Sequence, residues 1–118
     1  MKGLLLFIPI IENLNKLIEL TNQDIDDIQL AKHEELFKRN SEKENLLSQF
    51  QTLKEEIDNE LQRRSLANEE LLSSQEEIDM EVFREKLKEF HNLNKKLSKL
   101  VIPVSHFYNE IMHRIEEN

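Results

Sequence analysis

The sequence predicts an all-α protein: an antiparallel bundle of three long helices with a C-terminal amphipathic helix hinged at Pro103. Three observations predict it. The 118 residues include one glycine, two prolines and no tryptophan, so the punctuation that sheets and turn-rich folds need is missing. Charged residues make up 34% of the chain, as in long solvated helices with narrow apolar faces. And from Met80 to Ile115 apolar side chains, interrupted only by the polar Asn94, recur at alternating steps of three and four, through Phe83, Leu87, Phe90, Asn94, Leu97, Val101, Val104, Tyr108 and Ile111. That spacing is a heptad repeat, which puts every member on one stripe of a helix.

The elements follow in chain order. Ile11, Leu14, Ile18, Thr21, Ile25 and Ile28 step by three and four and predict the first helix. Its apolar entry, Leu4 to Ile11, contains Pro9, which the first turn of a helix tolerates. The phase breaks between Ala31 and Glu34, which marks a turn, a kink or a helix boundary. Leu46, Phe50, Leu53 and Ile57 then carry a second helix, expected from about residue 34 because Leu36 and Phe37 would be wasted in a loop. Ser41 and Glu44 have capping-box spacing, which either starts a helix at residue 42 or is coincidental within a longer one. The pattern weakens between Arg64 and Gln75, where Asn68, Ser73 and Ser74 favour caps over helix interiors. Ser74 and Glu77 form a second capping box ahead of the long stripe. The second helix is expected to end between residues 64 and 73 and the third to begin near residue 75.

Pro103 lies inside the long stripe, where proline kinks a helix or ends it. The heptad phase nevertheless passes from Val101 to Val104, as it would through a kinked helix or one that restarts. The length supports one domain, divided into a helical bundle over 1–102 and a C-terminal helix over 103–118.

Several function classes are disfavoured. With Gly3 as the single glycine, no glycine-rich loop can cradle a phosphate, and no catalytic or cofactor motif is present. The adjacent carboxylates Glu34–Glu35, Glu55–Glu56 and Glu76–Glu77 point about 100° apart on a helix, so they read as solvated faces rather than acid–base pairs. His106 and His113 share a face, but only Glu110 and Glu117 are near enough to complete a metal site, so surface histidines are expected. The net charge of −8 argues against nucleic acid as a partner, and Arg63 and Arg64 are too few to form a basic patch. It also disfavours anionic membrane surfaces. The run from Leu4 to Ile11 is far shorter than the roughly 20 residues that span a bilayer, and no small-residue cleavage site follows it. Absent cysteine fits a reducing cytoplasm. The expectation is therefore no enzyme activity, no cofactor, no metal and no stable membrane insertion.

A stripe as long as Met80 to Ile115 needs a partner. Asn94 inside it either fixes register from a buried position or faces solvent. Leu93, Leu100 and Phe107 add a second stripe beside the first. Near the end, Phe107, Tyr108, Ile111, Met112 and Ile115 make a wide apolar face that serves either as core or as a binding surface.

Ala31 to Phe50, AKHEELFKRNSEKENLLSQF, resembles the second-helix region of FlgN-type flagellar export chaperones. ENLNKLIELTNQDIDDI, from Glu12 to Ile28, is similar to the first helix of that family, and Leu93 to Leu97 resembles its Asn-containing third helix. Where the family often carries a second Asn and a Gly in that helix, Lys96 and Leu97 stand here. The resemblance covers roughly residues 10 to 100. It implies a small, acidic, cytoplasmic protein, a monomer or weak homodimer. Such a protein binds the C-terminal helices of hook–filament junction proteins (FlgK/FlgL-like) and delivers them to a component of the type III export gate. The resemblance places substrate contacts on the C-terminal amphipathic segment. By position these are Val104, Phe107, Tyr108, Ile111, Met112 and Ile115, with Val101 at the head of the same stripe. The alternatives are a related type III export chaperone with another client, or a coiled-coil tether that self-associates through Met80 to Ile115.

Overall fold

In the computed structural model, the backbone is described for residues 5–117 and the side chains for residues 5–100. Three α-helices account for nearly all of it: α1 (Ile8–Gln29), α2 (His33–Leu66) and α3 (Ser74–Glu117). Pro9 sits in the first turn of α1, where its missing N–H leaves no helical bond unmade. Ser41 and Glu44 lie inside α2, so their capping-box spacing is coincidental. The cap of α3 is Ser73 with Glu76, not Ser74 with Glu77. The Ser73 hydroxyl accepts from the Glu76 N–H at 3.1 Å, and the Glu76 carboxylate accepts from the Ser73 N–H at 2.8 Å. The two candidate boxes differ by one residue, and Glu76 wins because its carboxylate also meets Arg64.

Both helix ends that lead into turns close the same way. Ala31 and Asn68 follow the ends of α1 and α2 with φ of 61° and 57°. The N–H of Lys32 reaches back to the Asp27 carbonyl and that of Glu69 to the Arg64 carbonyl, which satisfies carbonyls the helices leave open. Asn tolerates this left-handed conformation; Ala adopts it at a steric cost. A chain with a single glycine at position 3 gives no sequence signal for either turn.

The packing shows how the helices run. Phe7 and Ile10 at the start of α1 cluster with Ile57 late in α2 and with Met80 and Phe83 early in α3. Leu14, Leu17 and Ile18 form the middle layer with Leu46 and Phe90. Ile25 near the end of α1 packs with Leu36 and Leu97. So α2 runs antiparallel to α1, and α3 returns parallel to α1. The apolar entry belongs to the core, since Phe7 and Ile10 are buried while Leu5 is exposed. Phe83 stacks between Phe7 and Phe50, with ring centroids 6.1 and 6.4 Å apart, which ties all three helices together at one level.

α1 is the element that both others pack against. Its buried set, Ile10, Asn13, Leu14, Leu17, Ile18, Thr21, Asp24 and Ile25, covers an arc of about 140°, wide enough to meet a helix on each flank. It is also the shortest helix, at 22 residues against 34 and 44. The longest extent of the molecule is 68 Å, close to the roughly 66 Å expected for the 44 residues of α3 alone. The helical span of α3 carries through Pro103, so residues 103–117 form the last part of α3 rather than a separate element.

Leu17 is fully buried, whereas Leu66 is 81% exposed. Leu17→Ala is expected to remove about 3 kcal/mol of stability in chemical denaturation, and Leu66→Ala less than about 0.5 kcal/mol.

Candidate functional site

The stripe on α3 is the candidate binding element, and the structure rotates it slightly from the predicted line. Two heptad positions face the bundle: Glu76, Phe83, Phe90 and Leu97 at one, Asp79, Lys86, Leu93 and Leu100 at the other, all buried or half-buried. The predicted stripe shared the line of Phe83, Phe90 and Leu97 but took Met80, Leu87 and Asn94 as its second line. Leu87 is 38% exposed, and Met80 and Asn94 are half-buried at the edge of the packed face. The sequence favoured that line because Asp79 and Lys86 are polar and Met80 and Leu87 are not. Burial favours the other line because Leu93 and Leu100 complete the layers built on Phe90 and Leu97. Asn94 is thus neither a fully buried register lock nor a solvent-facing residue.

The site residues named from the sequence, Val101, Val104, Phe107, Tyr108, Ile111, Met112 and Ile115, all fall within the backbone span of α3. Their side chains lie outside the described residues, and so do His106, His113, Glu110 and Glu117. Heptad register continues the core-facing lines of α3 to Val104 and Ile111 and to Phe107. The flank that holds Met80 and Leu87 continues to Val101, Tyr108 and Ile115.

The core also contains charges that sequence reading left on the surface. In α2, Leu36, Arg39, Lys43, Leu46, Phe50, Leu53, Ile57, Glu60 and Arg64 step by three and four without a break, and every one is buried or half-buried. Arg39 and Lys43 therefore sit on the core stripe. They meet Asp24 of α1, which is 1% exposed: Arg39 Nε donates to Oδ1 at 2.8 Å and Lys43 Nζ to Oδ2 at 2.9 Å. Arg39 also donates to Asp27. Burial works against the charge on Arg39, but its hydrogen bonds to Asp27 and Asp24 outweigh that and raise its pKa. Between these pairs and the start of α1, Asn13 donates to the Leu46 carbonyl at 2.9 Å.

At the opposite end, Arg64 is buried against Glu76. Its guanidinium donates to both carboxylate oxygens, at 2.8 and 2.9 Å, and to the Leu71 carbonyl at 2.7 Å. This overturns the reading of Glu76–Glu77 as a solvated face: Glu76 is 2% exposed and paired, while Glu77 is exposed. Glu34, Glu35, Glu55 and Glu56 are exposed, as expected. The hydrogen bonds from Arg64 hold the Glu76 carboxylate below its usual range, against the effect of burial, and Ser73 assists. Next to it, hydrogen bonding from Arg63 pulls Glu60 down to about 2.

The Asp24 and Glu76 pairs hold the helices to one another. Among the described residues, no three His, Asp or Glu side chains converge where a metal ion could sit. Nor, among the described residues, is any helix long and apolar enough to cross a membrane. No protein-family model matches the chain, and no curated protein or solved structure matches it.

Removing one partner of a buried ion pair strands the other charge. Glu76→Gln is therefore expected to cost about 3 kcal/mol in denaturant unfolding. The native pair stabilises fully above the ordinary Glu value of 4.5, because the folded pKa lies below it, and the contribution is lost as pH falls through the folded value. Unfolding measured from pH 6 downward should show a shallower loss of stability in Glu76→Gln than in the native chain.

Proposed function

We propose that this protein is a helix-binding chaperone of the FlgN type, which shields the C-terminal helices of hook–filament junction proteins and escorts them to the flagellar export gate in the cytoplasm. One observation carries the reading. α3 runs for seventeen residues past Leu100, while α1 stops at Gln29, four residues after the Ile25 that packs with Leu97. At the helical rise this is about 25 Å of additional helix. Over that length the sequence keeps the heptad register through Val101, Val104, Phe107, Tyr108, Ile111 and Ile115, with Met112 beside it. A helix that continues its core register beyond the helices that supply its partners has the design of a binding edge.

The mechanism is helix-in-groove burial. An amphipathic helix of the client lays its apolar face along the C-terminal part of α3, in the role that α1 and α2 play for the preceding part. Each chain thereby removes from water an apolar face that would otherwise promote aggregation. Pro103, which lacks an N–H donor, is the proposed hinge that lets residues 103–117 adjust to the client. Met112 suits such a surface, since its flexible thioether fits irregular partners. No side chain in this scheme performs chemistry; recognition rests on apolar area and helical register.

The support for this reading is the acidic all-α bundle, the length of α3 and the resemblance of residues 10 to 100 to the family. Titration calorimetry of the full chain with peptides from the C-terminal helices of junction proteins tests it. Phe107→Asp or Ile111→Asp should abolish binding, and circular dichroism should show the helix content of the free protein nearly unchanged. Collapse of the fold in either variant would instead make the segment core.

A further inference from the structure

The side of α3 turned away from α1 carries a charge pattern for which the bundle has no use. Glu81, Glu85, Lys88, Asn92, Lys95 and Lys99 step by four, three, four, three and four, so they form one stripe, and all six are exposed. Its first two members are acidic, and its other charged members, Lys88, Lys95 and Lys99, are basic. Within a single helix that order is unfavourable, because Glu81–Glu85 and Lys95–Lys99 are like charges one turn apart. Arg84 pairs with Glu81 at 3.0 Å, but Glu85, Lys88, Lys95 and Lys99 form no ion pair among the described residues.

Against a reversed copy of itself the same stripe is complementary. Two α3 helices laid antiparallel, with a twofold axis level with Phe90, set Glu81 opposite the second copy's Lys99 and Glu85 opposite its Lys95. Lys88 then faces Asn92. Beyond the charges, Ile78 is 59% exposed. Symmetry doubles each contact, giving four charge pairs, as an isologous interface requires.

We propose that this outer face of α3 docks a second copy of the chain, antiparallel, as a reversible dimer. The occupant follows from the charge order: an acidic partner would meet Glu81 and Glu85, a basic one would meet Lys95 and Lys99, and a reversed copy satisfies both halves. Exposed ion pairs contribute little individually, so the dimer is weak and salt-sensitive. The stripe lies opposite the core-facing lines whose continuation forms the proposed client edge, so dimerisation leaves that edge free and does not depend on the chaperone reading.

Sedimentation equilibrium of the full chain tests the proposal. A concentration-dependent dimer is expected at low ionic strength, dissociating as salt is added. Lys95→Glu with Lys99→Glu in one chain, and Glu81→Lys with Glu85→Lys in another, should each weaken self-association by about tenfold or more. An equimolar mixture of the two variants should dimerise at least as well as the native chain, because opposite charges face each other again; this recovery also shows that both variants fold. A monomer at every concentration in low salt would overturn the proposal, as would a dimer that neither reversal moves. Loss of the dimer in Ile111→Asp, with both reversals tolerated, would place self-association on the C-terminal stripe and overturn it equally.

Discussion

The structure depends on the two-sided burial of α1. A helix in a pairwise contact buries one stripe; α1 buries residues on two, because α2 and α3 both use it as their main partner. Three layers stacked along this short helix supply the apolar core, and each contains a side chain from every helix. The longer helices are held where α1 reaches and must find other partners, or water, where it does not. The early part of α3 meets the Arg64–Glu76 corner; its late part continues beyond the last layer.

Narrow apolar stripes permit sliding, since one heptad looks much like the next. Here the ends of the core carry paired charges that do not slide. Asp24 takes both Arg39 and Lys43 between α1 and α2, and Glu76 takes Arg64 between α2 and α3. A shift of either helix by one heptad would leave a buried charge without its partner, at a cost of several kcal/mol. Buried ion pairs add little net stability over apolar packing, but they penalise wrong registers, and a long bundle with few turns needs that penalty.

Much of the fold was legible in the sequence, for a physical reason. Helical period is written directly in apolar spacing, so the three helices, the break near Ala31 and the single long α2 follow from the pattern. What escaped were the positions where core residues are charged. Apolar periodicity counts Arg39, Lys43, Arg64 and Glu76 as polar and places them outside, although Arg39, Lys43 and Arg64 fall on the same three–four stripe of α2 as Leu36, Leu46 and Ile57, and Glu76 on the α3 line of Phe83 and Phe90. Extending the stripe through charged residues and asking for opposite charges on a neighbouring helix would have found them. The one-position rotation of the α3 face has the same origin: Asp79 and Lys86 are core-facing but polar. For the candidate site the sequence supplies residue identities and register, and the structure adds that one continuous helix, α3, carries them all.

The proposed function rests on unequal helix lengths: along α3 the register that builds the core runs on after α1 has ended. Amide hydrogen exchange of the full chain, with and without a junction-protein C-terminal helix, tests this most directly. The account predicts that client addition raises protection across residues 101–117 and leaves the layers around Leu17 unchanged. Unaltered protection over 101–117 at saturating client, or a protection gain confined to the bundle, would contradict it.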